Sequence, residues 1–256
     1  MAPDVDSAAA VPARPTAAVP ARPTAAVPAR PAAADPAERL EWSVVIPVKL
    51  LARAKSRLTG LAGEYRSALV LAMAADTIAV AVRAARVGAV LVVTDDPAVS
   101  AVAASLGALV LPDEPAAGLN DALRHGAAQA HATWPDRGRA GLAADVPAAR
   151  PEELTAALSA AARLGTAFVP DADGTGTVLY AAAPGNEFGP RFGPRSRDQH
   201  LATGAAELGP DVLRLAGLRN DVDTMADLRQ AAALGVGPRT RAILSASDLA
   251  GLVPSP

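Results

Sequence analysis

The chain of 256 residues contains no cysteine. This absence excludes thiolate catalysis, disulfide bonds and thiolate metal sites together, so any metal must be held by oxygen or imidazole ligands. Histidine is also scarce, with only His125, His131 and His200 scattered along the sequence. Because a lone histidine is more often a surface or capping residue than a ligand, we assign these three no role.

Aromatic residues make up only 3% of the chain, and the formal net charge is -2. With few stacking platforms and no basic field, this composition argues against nucleic acid as a partner. No uncharged apolar run of about 18 residues occurs, and the amino terminus lacks the basic and apolar regions of a signal peptide. We therefore expect no membrane segment and a cytoplasmic location. The 51% of hydrophobic residues suffices for a sizeable core.

Lysine is nearly absent, since Lys49 and Lys55 are the only lysines among 24 basic residues. Both follow residues 44–48, a β-branched apolar segment that predicts a buried strand leading into a basic loop with Arg57. A compact ammonium in a chain otherwise rich in arginine suits phosphate. The alternative is a solvated basic connector. The position after the first strand of an α/β pattern favours phosphate binding.

Residues 1–38 contain an eight-residue repeat with two prolines in each unit, beginning at Val11, Val19 and Val27. The prolines prevent a helix or a sheet ladder, and the segment has too little bulky apolar surface to fold. We therefore predict a disordered tail over residues 1–38. One folded domain is expected over residues 39–244, followed by a short carboxyl-terminal tail over residues 245–256.

Short apolar segments alternate with helix-forming segments in the first half of the domain. After the first strand, the pattern predicts a helix over 61–85, a strand over 90–94, a helix over 97–106 and a strand over 108–111. Such alternation specifies an α/β fold with a mostly parallel sheet and right-handed crossovers. A ligand site is then expected along the edge formed by the carboxyl ends of the strands.

Gly118 and Asn120 open the next predicted helix. Asn120 suits the N-cap position, because its side-chain oxygen can accept a backbone N–H of the first turn. Alternatively, its carboxamide could read the edge of a base beside a glycine that allows close backbone approach. The sequence leaves these two interpretations open.

Aspartates occur at two further points where a metal could bind. Asp145 lies in residues 141–147, which we predict to be a short strand ending in a carboxylate; it is either a turn residue or, as its position favours, a Mg²⁺ ligand. Further along, a capping box beginning at Thr224 predicts a helix start. Because that box supplies the cap, Asp221 and Asp223 are left without a structural role, and we predict that one or both face the metal.

Residues 166–170 are predicted to form a further strand, and two glycine-rich loops follow it in the sequence. Asp-Gly within residues 171–177 predicts a hairpin, and the Thr177 hydroxyl with nearby exposed N–H groups also suits an anion. Residues 192–197, which contain Gly193 and Ser196, lead into a predicted helix and offer a place for an acidic ligand.

Six segments in chain order carry a resemblance to one known family. They are Val45-Ile46-Pro47-Val48-Lys49 with Lys55-Ser56-Arg57-Leu58, Gly118-Leu119-Asn120, Ala144-Asp145-Val146-Pro147, Gly174-Thr175-Gly176-Thr177, Phe192-Gly193-Pro194 and Asp221-Val222-Asp223-Thr224. Together they resemble the phosphoenolpyruvate/2-phospho-L-lactate guanylyltransferases of coenzyme F-420 biosynthesis. The resemblance covers residues 42–243 and implies the nucleotidyltransferase fold, a GT-A-like and Rossmann-like three-layer α/β fold with a mostly parallel central sheet.

The resemblance also implies roles for individual residues and a set of partners. The triphosphate would contact Lys49, Lys55 and Arg57, and the nucleotide would lie near Pro47, Lys49, Gly118 and Asn120. The phosphorylated acid would lie near Thr177, Gly193 and Ser196, and Mg²⁺ on Asp145 and Asp223, with Asp221 as the alternative. The implied substrates are GTP and a phosphorylated three-carbon acid, preferably phosphoenolpyruvate. The protein partners to test are the next transferase of the pathway and a second copy of this chain.

The implied reaction is attack by a phosphate oxygen of the acid on the α-phosphorus of GTP, which releases pyrophosphate. A phosphate monoester is already an anion at neutral pH, so catalysis needs positioning and charge neutralisation and no general base. One rival is another nucleotidyltransferase of this fold, such as a molybdenum-cofactor guanylyltransferase, although no Gly-Gly-rich loop follows the first strand. The other is a non-catalytic nucleotide-binding protein that kept the pocket.

Overall fold

The computed structural model describes residues 39–49, 51, 58, 63–210, 214–246, 249 and 251. The strands are β1 (Trp42–Pro47), β2 (Val87–Val93), β3 (Leu109–Leu111), β4 (Gly138–Leu142), β5 (Thr166–Pro170), β6 (Thr177–Ala182) and β7 (Ala206–Glu207). The helices are α1 (Gly63–Arg83), α2 (Pro97–Ser105), α3 (Leu119–Thr133), α4 (Pro151–Leu164), α5 (Ser196–Ala202), α6 (Ala216–Arg219), α7 (Met225–Leu234) and α8 (Pro238–Ser245). The predicted domain boundaries at residues 38 and 244 stay predictions.

One sheet of seven strands, in the order β3-β2-β1-β4-β6-β5-β7, forms the centre of the domain. The pairs β1–β2, β1–β4, β2–β3 and β5–β7 are parallel, whereas β6 is antiparallel to both β4 and β5. Every strand except β6 therefore points the same way. The predicted α/β fold with a mostly parallel sheet is confirmed.

The sheet is covered on both faces, because successive side chains of a strand point to opposite sides. Val44 and Ile46 of β1 pack into a cluster that includes residues of α1, α2 and α4. Val45, between them, packs on the other face with Leu123 of α3 and Phe168 of β5. These helix and sheet layers give the three-layer arrangement that the resemblance implied.

Helix α3 lies unusually close to β1. A Cβ atom added at Gly126 would be 2.4 Å from Cγ1 of Val45 and 3.1 Å from Cγ2 of Val93. Because buried side chains have little room to move, glycine at this position is what lets the helix approach the sheet. That approach places the start of α3 beside the carboxyl edge of the sheet.

Helix α1 is long and apolar enough to satisfy a membrane-span test based on length and composition, but 61% of the relevant window is buried inside the protein. It also holds a buried carboxylate, Asp76, which is 2% exposed. Asp76 accepts the N–H of Arg239 at 3.2 Å and that of Thr240 at 2.8 Å. The Tyr65 hydroxyl donates to the Ile243 carbonyl further along α8. Helix α1 is therefore a core helix that supports the amino end of α8.

Residues 134–139, which contain Arg137 and Arg139, join α3 to the start of β4 and lie away from the carboxyl edge of the sheet. Arg137 pairs with Glu41 at 2.9 Å and lies 4.7 Å from the centre of the Trp134 ring. Arg139 donates to the Asn186 carbonyl at 2.5 Å. These contacts give the loop a structural role.

The predicted elements are correct in type, but both bounds of one strand are wrong, and β7, α6 and α8 were not predicted. The strand expected over residues 141–147 is β4, which begins at Gly138 and ends at Leu142, before Asp145. β4 contains two glycines and an arginine, so its position follows from pairing with β1 and β6 more than from its own propensity. Asp145 therefore lies in the loop beyond the strand.

Candidate active site

The carboxyl ends of β1 and β4 lie side by side, because the two strands are adjacent and parallel. β6 runs in the opposite direction, so its first residue, Thr177, lies at the same edge. The N–H of Ala143 donates to the Val178 carbonyl at 2.8 Å and holds the chain beyond β4 against the start of β6. This edge therefore gathers the segments that carry Lys49, Asp145 and Thr177.

Pro47 is the last residue of β1, and Lys49 is exposed two positions beyond it. Lys49 is thus accessible at the carboxyl edge, and its contact with a ligand stays a prediction. Lys55 and Arg57 lie outside the described residues, so their predicted contacts with the triphosphate stay predictions.

Asp96 fixes the start of the basic loop, a role that the sequence analysis missed. Its Oδ1 accepts two N–H groups of the first turn of α2, and its Oδ2 accepts the Leu51 N–H at 3.0 Å. An aspartate directly before Pro97 is a readable N-cap signal. The contact with Leu51, however, joins residues that are distant in sequence and could not be read from it.

The structure brings the predicted acidic segments together. The Asp145 carbonyl accepts the N–H of the buried Val222 at 2.9 Å. Asp221 and Asp223 flank Val222, and all three aspartates are partly buried. Thr224 is the N-cap of α7 and forms the predicted capping box with Asp227.

Asp145, Asp221 and Asp223 each take part in further polar or electrostatic interactions. Such interactions do not prevent metal binding, and the expectation that Asp221 or Asp223 faces the metal stays a prediction. No group of three or more histidine and acidic side chains suited to a metal occurs in the described part of the chain. One or two carboxylates with substrate phosphates and water are enough for Mg²⁺. These oxygen donors on two joined segments therefore fit such an ion.

Asn120 does not cap α3, so the capping interpretation is wrong. The N-cap is Gly118, and the Asn120 side chain makes no capping hydrogen bond. Its carboxamide instead pairs with the backbone of Phe192, accepting the N–H at 2.8 Å and donating to the carbonyl at 2.9 Å. Asn120 therefore holds the loop that contains Gly193 against the start of α3. Its contact with a base stays a prediction.

Gly118 and Gly193 both have backbone conformations that favour glycine, with φ values of 125° and 134°. A Cβ atom at either position would meet nothing within 4 Å. The glycines are therefore required by the backbone and leave open space beside it, which suits close approach of a ligand.

Thr177 and Ser196, which are predicted to contact the phosphorylated acid, are both buried, at 8% and 1% exposure. The Thr177 hydroxyl lies 3.0 Å from Nδ1 of His200. The Ser196 hydroxyl has no hydrogen-bond partner among the described residues. A buried hydroxyl in need of a partner is consistent with a ligand that supplies oxygen atoms.

His200 is fully buried, so the expectation of a surface or capping histidine is wrong. Its ring stacks on Tyr180 at 4.7 Å between centroids and tilts against Phe168 at 5.3 Å. Burial, followed by the charge of Arg191, lowers the pKa of His200 to about 4. The imidazole is therefore neutral at physiological pH. The sequence did not reveal this burial, because Tyr180 and Phe168 are distant from His200 in the chain and follow no regular spacing.

The predicted hairpin is present between β5 and β6. Asp171 stabilises its turn by accepting the N–H groups of Thr175 at 2.9 Å and Gly176 at 2.7 Å. Arg219, which the sequence analysis did not single out, donates to the Pro170 carbonyl at 3.0 Å and to the Asp171 carbonyl at 2.6 Å. The residues before Asp221 are thereby attached to the hairpin beside Thr177.

Comparison with known proteins gives the same picture at the level of sequence. Residues 42–246 match the family model described as "Guanylyl transferase CofC like". A protein of Thermomonospora curvata named phosphoenolpyruvate guanylyltransferase is 56% identical over 204 residues, covering 80% of this chain and 89% of that protein. A protein of the same name from Streptomyces coelicolor is 50% identical over 213 residues, covering 83% of this chain and 100% of that protein.

Two solved structures with low sequence identity share the fold. A putative nucleotide-diphospho-sugar transferase from Desulfovibrio desulfuricans G20 has a TM-score of 0.59 at 17% identity and covers 83% of this chain and 94% of that one. Rv0371c of Mycobacterium tuberculosis in complex with manganese has a TM-score of 0.50 at 21% identity. The match covers 75% of this chain and 97% of that one. The predicted nucleotidyltransferase fold is confirmed.

Proposed function

Because this chain belongs to the CofC-like guanylyltransferase family, we propose that it transfers GMP from GTP to phosphoenolpyruvate. The products are enolpyruvoyl-diphospho-guanosine and pyrophosphate. The observation that carries this conclusion is the 50–56% identity to proteins named phosphoenolpyruvate guanylyltransferase. That name favours phosphoenolpyruvate over 2-phospho-L-lactate as the acceptor. We place the reaction in coenzyme F-420 biosynthesis and in the cytoplasm.

The reaction needs no proton transfer. A phosphate oxygen of phosphoenolpyruvate attacks the α-phosphorus of GTP, and the new P–O bond forms opposite the departing group. The bond from the α-phosphorus to the bridging oxygen breaks, and pyrophosphate leaves with that electron pair. Lys49, Lys55 and Arg57 offset the negative charge of the triphosphate, so the protein contributes positioning and electrostatic stabilisation.

The two substrates would approach the carboxyl edge from different elements. We assign the nucleotide to Pro47, Gly118 and Asn120, where positive-φ glycine leaves the backbone open. We assign the acid to Thr177, Gly193 and Ser196. Asn120 joins the two sides through its pair of hydrogen bonds to Phe192.

Asp145 and Asp223 would hold Mg²⁺, with Asp221 as the alternative to Asp223. The hydrogen bond from Val222 to Asp145 keeps the two segments in contact, and carboxylate oxygens are ligands that Mg²⁺ favours. When bound, the ion neutralises charge on the transferring phosphoryl group. The manganese complex of the fold neighbour Rv0371c is consistent with a divalent ion.

The substrate assignment is tested by measuring pyrophosphate release over a matrix of nucleotides and acids. GTP, ATP and CTP are combined with phosphoenolpyruvate, 2-phospho-L-lactate and 3-phosphoglycerate. We expect the highest kcat/KM for GTP with phosphoenolpyruvate. Pyrophosphate release with a nucleotide other than GTP would contradict the proposal. So would the absence of release with all three acids. Size-exclusion chromatography, alone and with the transferase that consumes the product, tests the two predicted protein partners.

The metal assignment is tested by replacing each aspartate with asparagine. Asp145→Asn and Asp223→Asn should lower kcat by orders of magnitude, because metal stabilisation of the transition state amounts to several kcal/mol. Asp136→Asn, at an exposed position on the opposite edge, is the matched control and should leave kcat unchanged. If Asp221→Asn is inactive and Asp223→Asn is active, Asp221 is the metal ligand instead of Asp223. Near-normal rates in all three site variants would refute the metal site.

A further inference from the structure

The hydrogen bonds of His200 determine which ring nitrogen carries the proton. Nε2 lies 2.9 Å from the backbone nitrogen of Arg191. A backbone N–H can only donate, so Nε2 must be the unprotonated acceptor. In the neutral imidazole the proton is then on Nδ1, which lies 3.0 Å from the Thr177 hydroxyl oxygen. Nδ1–H therefore donates to Thr177, and the Ser196 carbonyl is a second acceptor for the ring.

This direction leaves Thr177 with one proton to donate elsewhere. A threonine hydroxyl has a single O–H and two lone pairs, and His200 uses a lone pair. No carbonyl or side chain in the described part of the chain accepts the Thr177 proton. Thr177 is the first residue of β6, at the edge where the phosphorylated acid is assigned.

We propose that His200 is a positioning residue for the phosphorylated acid: by donating to Thr177, it turns the Thr177 hydroxyl into a donor toward an oxygen of that substrate. The inference rests on the proposed function, since it concerns the same binding site. It adds a residue that does not touch the substrate and acts through another.

The surroundings of His200 keep this direction fixed. Stacking on Tyr180 and the tilted contact with Phe168 restrict rotation of the ring. The bond from Arg191 reaches the same loop that Asn120 holds through Phe192. His200 thus connects the Thr177 hydroxyl to the loop that contains Gly193. Thr177 and Gly193 are two of the three residues assigned to the acid.

The kinetic test separates a role through Thr177 from a purely structural role. A glutamine amide reaches the position of Nε2 and can accept from Arg191, but it leaves no donor for Thr177. His200→Gln should therefore raise KM for phosphoenolpyruvate about tenfold, as expected for a lost hydrogen bond to a charged ligand, and leave KM for GTP unchanged. An asparagine amide places a donor near Nδ1, so His200→Asn should restore KM to within about threefold of wild type.

A double-mutant cycle with Thr177→Val completes this test. If His200 acts through Thr177, the pair His200→Gln/Thr177→Val should have the same KM for phosphoenolpyruvate as Thr177→Val alone. If the two effects multiply, or if KM for GTP rises equally in His200→Gln, the positioning role is refuted. Circular dichroism and melting curves of each variant identify any that fail to fold.

A second measurement does not depend on activity. Long-range ¹H–¹⁵N NMR of the wild-type protein at neutral pH should show that Nδ1 of His200 is protonated and Nε2 is unprotonated. A proton on Nε2 would overturn the proposal directly. If the wild type releases no pyrophosphate but binds phosphoenolpyruvate in calorimetry, the proposed function fails. The same double-mutant cycle then tests the positioning role through the Kd for phosphoenolpyruvate. If it binds no phosphorylated acid, both fail.

Discussion

Acidification should destabilise this protein through His200 before most carboxylates titrate. An unfolded chain protonates this histidine near its ordinary pKa of 6.5, whereas burial lowers the pKa in the folded protein to about 4. Between these values the unfolded state binds a proton that the folded state does not. Unfolding therefore takes up a proton, and the free energy of unfolding falls as the pH falls from about 6.5 toward 4.

The magnitude follows from the two pKa values. Each pH unit within this window costs about 1.4 kcal/mol, so lowering the pH from about 7 to about 5 should cost about 2 kcal/mol. That is a substantial part of the roughly 5–15 kcal/mol by which a domain is stable. Protonation also has a structural reason to be unfavourable, because a protonated Nε2 could no longer accept from Arg191.

Urea unfolding followed by circular dichroism measures this effect at several pH values. The matched variant is His200→Asn, which removes the titrating group and keeps a donor for Thr177. His125 and His131 contribute equally to both proteins. Wild type should lose about 2 kcal/mol more than the variant between about pH 7 and pH 5. Parallel stability curves would show that the His200 pKa is close to normal and that its buried, hydrogen-bonded state is incorrectly described.

Three further predictions concern packing, capping and charge. Gly126→Ala should lower the free energy of unfolding by about 1–3 kcal/mol in urea titrations, because the new methyl overlaps Val45. Asp76→Asn should lower it by about 1–2 kcal/mol, because the amide donates where α8 needs an acceptor; an unchanged midpoint would contradict this cap. Lys55→Arg should reduce kcat despite keeping the charge, since a planar guanidinium cannot replace a compact ammonium; wild-type rates in Lys55→Arg and Lys49→Arg alike would remove the significance of the lysine usage.

Most of the sheet was predictable because the sequence of a strand by itself indicates that the strand is buried. β1 contains Val44-Val45-Ile46 and β2 contains Val90-Leu91-Val92-Val93, and such apolar, mostly β-branched runs are typical of strands buried on both faces. β5 was predicted with its observed limits for the same reason. β4 was misplaced because its glycines form a strand only through pairing with two neighbours.

The site was predictable as a set of segments and less so as a set of contacts. The edge that gathers Lys49, Asp145 and Thr177 follows from strand direction, which the alternation of elements indicates. The capping interpretation of Asn120 and the surface or capping expectation for His200 were wrong because the partners of both residues are distant in sequence. Asn120 bonds a residue 72 positions away, and His200 bonds Thr177, 23 positions away. Neither bond has a periodicity or composition that reveals it.

The carboxylate of Asp76 also has a consequence for the order in which the chain is made. A ribosome delivers α1 long before Arg239 and Thr240, which supply the N–H donors that Asp76 accepts. Until then, burying Asp76 would leave a charge without those partners, which is costly. Helix α1 must therefore keep this face in water during most of synthesis. The domain can close around it only when α8, its last helix in the described residues, emerges.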